Sequence, residues 1–241
     1  MAGRPVGERS PTGTLRAVVL LSGGLDSATA LAWAVRRDGC EAHALAFDYG
    51  QRHRVELDAA RRVADSLGVK RLDVVRIDAG VFAGASALTG GADVPKDRAA
   101  GEMAHGIPVT YVPARNLLFL AHAAAVAEAR GAGAVYLGVN AIDYSGYPDC
   151  RPEFIAAFEA AARLGTKAGI EGRPLEVRAP LATLSKAGII REGVSLGVDY
   201  ALTHSCYDPR GDLACGRCDS CLLRSRGFTE AGVADPTRYA P

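Results

Sequence analysis

Residues 15–37 constrain the fold of this chain more than any other stretch. Residues 15–21 form an apolar run broken by Arg16 alone and read as a buried strand; residues 28–37 have the composition of a helix. Between them lies Ser22-Gly23-Gly24-Leu25-Asp26-Ser27. A strand that turns through glycines into a helix presents backbone N–H groups and the positive end of the helix dipole, which suits phosphate. Gly23 and Gly24 permit a tight turn and close approach of a ligand, and Ser22 and Ser27 add hydroxyl donors. The segment lacks the spacing and the lysine of GxxxxGK[ST] and contains no GxGxxG. Asp26 is the unusual member, because a carboxylate at a helix start repels phosphate oxygens. It either caps the helix or faces a Mg²⁺ that bridges it to the phosphates.

Strand-like and helix-like segments alternate along the rest of the chain, the pattern of a parallel sheet covered by helices. Strands are expected at 42–47, 72–77, 134–139 and 175–177, with an extended stretch at 107–112. Helices are expected at 55–67, 116–130, 151–168 and from a Ser185 cap to about 196. Residues 78–106 read as a long loop, of the kind that is usually functional or mobile. With no internal repeat and no Ser/Gly linker, residues 15–241 are expected to form one domain. Residues 1–14 have no apolar core of a secretory signal and are expected to be a disordered tail. No apolar run is long enough to span a bilayer, and the net charge of +1 advertises neither a nucleic-acid nor a membrane surface. A reduced, cytoplasmic protein is expected.

Four of the six cysteines, Cys206, Cys215, Cys218 and Cys221, follow the spacing C-x8-C-x2-C-x2-C. Two overlapping CxxC pairs bring four thiolates to one metal and close a tetrahedral Zn²⁺ shell with no position left for water, which argues for a structural site within residues 204–226. An iron–sulfur cluster uses the same donor set. Cys40 and Cys150 read as small buried residues.

Further polar and aromatic stretches fall at strand ends, where open α/β sheets bind ligands. They are residues 48–53 (DYGQRH), 112–116 (VPARN), 138–151 (GVNAIDYSGYPDCR) and 205–207 (SCY) running on to the cysteines. The hexapeptide resembles the pyrophosphate-binding loop of the PP-loop ATP pyrophosphatases. Together with the other stretches, in this order from about residue 17 to 239, it resembles the QueC family of 7-cyano-7-deazaguanine (preQ0) synthases. Residues 138–151 and their pairing with the cysteine cluster are particular to that family. Ala114 departs from the family pattern, which usually has glycine there; if the position needs φ > 0, alanine strains the turn by about 1 kcal/mol.

The resemblance implies a Rossmann-like parallel sheet flanked by helices, of the adenine nucleotide alpha hydrolase-like type, with a small C-terminal zinc-binding region. It implies conversion of 7-carboxy-7-deazaguanine and ammonia to the nitrile through adenylated and amide intermediates, with ATP, Mg²⁺ and Zn²⁺. It also implies a homodimer. The expected nucleotide-binding stretch is Leu21, Ser22, Gly23, Gly24, Leu25, Asp26, Ser27, Ala28, Thr29, Ala30 and Leu31. Asp26, Lys186 and Arg115 are the catalytic candidates, Lys186 to reach phosphate and Arg115 to neutralise phosphate or the substrate carboxylate. A guanine-like edge calls for a carboxylate acceptor and an aromatic platform, which Asp143 or Asp149 with Tyr144 or Tyr147 is expected to supply, and Arg151 completes the expected substrate-binding set. His53 is a candidate for moving protons during ammonia attack. The competing classes are the same chemistry serving a deazapurine natural product, a PP-loop tRNA-modifying thiolase or ligase, and a nucleic-acid-binding zinc module. The near-neutral charge and the lack of an added domain speak against the last two.

Overall fold

The computed structural model describes residues 13–90, 92–103, 106–140 and 146–241. Five strands form one sheet: β1 (Arg16–Leu20), β2 (Glu41–Asp48), β3 (Leu72–Arg76), β4 (Ala134–Tyr136) and β5 (Glu176–Arg178). The spatial order is β3-β2-β1-β4-β5, with every pairing parallel. The helices are α1 (Leu25–Ala32), α2 (Val55–Ser66), the short α3 (Ala100–Met103), α4 (Arg115–Arg130), α5 (Pro152–Gly165), the short α6 (Lys167–Ile170), α7 (Lys186–Ser195) and α8 (Asp219–Ala231). A π turn, Trp33–Arg37, continues α1.

The pleat divides the core in two. Ala17, Val19, Ala44 and Ala134 face α1, α2, α7 and α8, whose Leu31, Val63, Ile189, Ile190 and Phe228 close over them. Val18, Leu20, Leu45, Phe47 and Val135 face the opposite way and meet Leu120, Ala123 and Ala127 of α4 and Ile155 of α5. Helices on both faces explain why the central strands are apolar throughout rather than alternating. The chain builds outward from β1 to β3, then crosses to the other side of β1 for β4 and β5. That reversal opens a crevice at the carboxyl ends of β1 and β4.

Besides the short α3 inside the expected 78–106 loop and a β4 that ends at Tyr136 rather than 139, the structure departs from the sequence expectation in three places. Residues 107–112 form no strand: Pro108 lacks an N–H for a ladder, and Tyr111 instead donates back to the Pro108 carbonyl in a turn. The helix expected over 151–168 breaks at Thr166, whose extended backbone and side chain, accepting from Gly169 N–H, start α6. Finally, α8 emerges where a loop is expected. Its buried face carries Asp219, Ser220, Cys221 and Arg224 beside Gly227 and Phe228, so a search for apolar periodicity passes over it.

Candidate active site

The turn from β1 into α1 is shaped by close packing. Gly23 has φ +91°, and a Cβ there would lie 2.2 Å from the Glu56 carbonyl oxygen of α2. From the other side Gly138, just after β4, packs so tightly that its Cβ would lie 2.8 Å from the Asp26 carbonyl. Hydroxyls fix the turn internally: Ser27 Oγ accepts from Ser22 N–H (3.2 Å), shares a 3.0 Å bond with Ser22 Oγ and donates to the Gly24 carbonyl (3.1 Å). Gly24 stands at the N-cap of α1 with no side chain to satisfy the first-turn amides. Part of that role comes from 180 residues away. Ser205 Oγ accepts from Leu25 N–H at 3.1 Å, and His204 N–H donates to the Gly23 carbonyl at 2.9 Å.

Asp26 does not cap α1. Both of its carboxylate oxygens accept from Lys186 Nζ at 2.8 Å. Lys186 opens α7, where Ser185 Oγ accepts from Gly188 N–H as a helix cap should. The lysine is buried, so the pair carries a cation from α7 to the phosphate-type loop with little water around it.

The loop opens onto a cleft of about 210 Å³ at the carboxyl ends of the central strands. Its apolar floor holds Leu45, Leu137 and Phe47, the last stacked on Phe119 with centroids 3.9 Å apart. Arg115, at the start of α4, donates to Tyr49 Oη at 3.4 Å. Burial pushes the Tyr49 phenol up to about 12, so it stays a neutral hydrogen-bonding group. Tyr147 lies buried on the wall with its hydroxyl 2.8 Å from Thr110 Oγ1. The Cys150 thiol is also pushed up to about 12, by burial and then by the Asp149 charge, which disfavours a nucleophilic thiolate.

The expected site residues divide into several groups. Leu21, Ser22, Gly24, Leu25, Asp26, Ser27, Arg115 and Tyr147 line the cleft. Gly23 shapes it from behind, whereas Ala28, Thr29, Ala30 and Leu31 are buried within α1. Lys186 reaches the cleft edge through Asp26. Asp149 is outside the lining, and its carboxylate accepts from Asn116 N–H at 2.8 Å, serving a helix start that Ala114 leaves without a side-chain cap. Arg151 is exposed and donates to the Pro148 carbonyl. Asp143 and Tyr144 lie outside the described residues. The lining also includes Glu56, Phe119, Asn140, His204 and Ser205. Ser205 belonged to a stretch that stood out in the sequence, but Glu56 and Phe119 look like ordinary helix positions until the fold turns them inward.

Beside the cleft, the sulfurs of Cys206, Cys215, Cys218 and Cys221 all lie within 4.8 Å of one another. Amide N–H groups point at them: Cys215 and Asp208 donate to Cys206 Sγ (3.1 and 3.3 Å), and Cys218 donates to Cys215 Sγ (3.3 Å). Lys96 Nζ adds a bond to Cys215 Sγ at 3.3 Å. Such donors offset thiolate charge. The cluster therefore fits a four-coordinate metal ion. A strap from the 78–106 loop secures it from outside, with Arg98 Nε donating to Asp219 (3.1 Å), Lys96 pairing with Asp208 (2.8 Å) and Arg217 pairing with Asp97.

A five-stranded parallel α/β sheet with a glycine-turned helix start at its switch point, and a four-cysteine cluster alongside, defines a PP-loop-type protein. The family profile described as queuosine biosynthesis protein QueC matches residues 16–232. The chain belongs to that family. It is 64% identical over 228 residues to a 7-cyano-7-deazaguanine synthase of Solidesulfovibrio magneticus, covering 94% of this chain and 96% of the relative. It is also 64% identical to a protein of the same name from Myxococcus xanthus, over 93% of this chain and 97% of that one. Among solved structures, the U34-tRNA thiolase NcsA from Methanococcus maripaludis superposes at a TM-score of 0.49 with 14% identity, over 95% of this chain and 67% of the thiolase; that likeness bears no functional weight. Among the described residues, no helix is long and apolar enough to cross a membrane.

Proposed function

We propose that this cleft carries out two ATP-dependent activations on one heterocycle, turning 7-carboxy-7-deazaguanine and ammonia into 7-cyano-7-deazaguanine (preQ0) for queuosine-type nucleosides. Membership of the family and near full-length relatives bearing that enzyme name support the overall reaction. The intermediates and the residue roles are our reading of the geometry.

A carboxylate is a poor electrophile. Attack of its oxygen on the α-phosphorus of ATP expels pyrophosphate and gives an acyl adenylate; ammonia then displaces AMP to leave the amide. Activation of the amide oxygen in the same way, followed by loss of AMP, gives the nitrile. Each half thus needs stabilisation of a departing pyrophosphate, and residues 22–27 are suited to it through their helix start and short polar side chains. Asp26 would hold the Mg²⁺ of the nucleotide, and Lys186, poised on Asp26, brings a cation to the phosphates. Arg115 neutralises the substrate carboxylate or the α-phosphate. Tyr147 and the Phe47–Phe119 stack provide flat surface for a planar ring. The observation that carries this reading is that the phosphate-type loop, Arg115 and Tyr147 all line one cleft.

The four sulfurs would hold Zn²⁺ in a closed shell, leaving no position for water and giving the ion a structural part. Metal analysis checks this; iron with acid-labile sulfide would replace the assignment. A homodimer is expected and is checked by sedimentation. For the reaction itself, folded, metal-loaded protein is incubated with MgATP, ammonium and 7-carboxy-7-deazaguanine and the products are read by mass spectrometry. Amide, nitrile and AMP are expected, and absence of both amide and nitrile would overturn the proposal.

A further inference from the structure

The reaction proposed above has a demand that the phosphate loop does not meet. Nitrogen enters as ammonium with four protons and leaves as a nitrile with none. One proton is lost to make ammonia and one after ammonia adds to the adenylate carbon with loss of AMP. A third leaves when the amide oxygen displaces pyrophosphate from the second ATP, and the fourth when the resulting imidate expels AMP and the C≡N bond closes. At neutral pH, where ammonium predominates, these protons call for an acceptor within reach of the nitrogen.

Three residues at the start of α2 are arranged as such an acceptor. Glu56 is largely buried, and each of its carboxylate oxygens has a partner: Oε1 accepts from Gln51 Nε2 at 3.1 Å, and Oε2 lies 3.3 Å from His53 Nε2. Gln51 is itself fixed, its Oε1 accepting from Tyr49 N–H and its Nε2 donating also to the Phe47 carbonyl. With Nε2 facing the Glu56 carboxylate, the tautomer that places the ring hydrogen there leaves the lone pair on Nδ1. His53 is 4% exposed, lines the cleft, and its Nδ1 has neither solvent nor a hydrogen-bond partner. Buried polar atoms are ordinarily paired, and one left unpaired beside a substrate cleft marks the place of a ligand group. The titratable groups that face the ring are Glu56 from α2 and, from the segment around Cys206, His204 and Tyr207, the latter with its ring 6.1 Å away.

We infer that His53, set beside Glu56 at the cleft wall, is the base that receives protons from the substrate nitrogen once the substrate is bound. His53 would touch the reacting atom; Glu56 and Gln51 are positioning residues. The inference rests on the proposed function.

The test separates nitrogen chemistry from adenylation. Acid-dependent ATP–pyrophosphate exchange involves no nitrogen, so His53→Ala keeps it within about threefold while amide formation at pH 7 and limiting ammonium falls roughly 100-fold, the usual worth of a general base. Raising the pH towards 9, which supplies free ammonia, restores much of the amide step. It does not restore conversion of added amide to nitrile, whose N–H protons still lack an acceptor. Glu56→Gln, should His53→Ala melt early, lowers both nitrogen steps and moves their pH profile while sparing exchange. Equal loss of exchange and nitrogen steps in either folded variant would overturn the assignment, as would unchanged nitrogen steps at pH 7. If the unaltered protein makes neither amide nor nitrile, the proposed function falls and takes this inference with it.

Discussion

The phosphate-type loop and the cysteine cluster are joined by two residues, His204 and Ser205, yet they are held together by opposite means. The loop is built from glycines and dipoles: Ser22 and Ser27 bind one another and the turn, and Asp26, tied to Lys186, faces the cleft. The cluster gathers four sulfurs, directs amide N–H groups and Lys96 at them, and is strapped by Arg98 and Asp97. One region is arranged to receive charge from a ligand and the other to contain its own. Damage to the first should appear in nucleotide chemistry, and damage to the second in the fold.

The largest effect is expected from Cys218→Ala. Cys218 is fully buried and its sulfur lies 3.5 Å from that of Cys221. Losing one of four thiolates should release the metal and lower Tm by about 10 °C or more, since a chain of this size shifts roughly 2–4 °C per kcal/mol. Metal analysis and a thermal melt read both. Full stability with lost turnover would break the contrast and move the metal into the chemistry.

Asp26→Asn is the converse experiment. Asparagine keeps an oxygen for Lys186 but removes the charge that would hold the nucleotide's metal. AMP formation should fall by about 100-fold, a typical loss for one electrostatic contact to a developing charge, with metal content unchanged. Loss of metal from the cysteines would show that the two regions are not separable.

Ser205→Ala sharpens the comparison because Ser205 belongs to both regions. It precedes the first cysteine of the cluster and accepts from Leu25 N–H in the loop. Removing one such bond should weaken pyrophosphate binding by roughly 3- to 10-fold, the equivalent of about 1 kcal/mol. Calorimetry measures this, and metal content should stay at the wild-type level. A variant that binds pyrophosphate normally would mean that the C-terminal segment merely lies beside the loop.

The same contrast explains what could be read from the sequence. Local devices were legible: the strand, glycine turn and helix at 15–37, the Ser185 cap and the CxxC pairs each declare themselves within a few residues. Long-range ones were not. Nothing near Leu25 shows that Ser205 will satisfy its amide, and nothing near Asp26 shows that Lys186, 160 residues on, will bind both oxygens. Helix α8 was hidden because its buried face is polar and satisfied by partners elsewhere, such as Arg224 with Thr203, Tyr200 and Asp235. Asp149 looked like a substrate acceptor because the start of α4, which needs an acceptor too, lies far from it in sequence.

The smallest expected effect lies at that same helix start. The loop meets its left-handed backbone with Gly23, whereas α4 begins at Ala114 with φ +53° and ψ +24°. Alanine in that region costs about 1–2 kcal/mol, and glycine would return roughly half of the gain through its greater freedom in the unfolded chain. Ala114→Gly should therefore stabilise by about 0.5–1 kcal/mol and raise Tm by about 1–4 °C. The backbone bonds that hold the turn need no side chain: Ala114 N–H donates to Tyr111 Oη at 2.9 Å and its carbonyl accepts from Leu118 N–H. Arg115 should stay in place, so KM for the acid should not move. A rise in Tm accompanied by a rise in KM would instead mean that the strained alanine holds Arg115 in register with the cleft, and that this turn, unlike the phosphate loop, gives up stability for position.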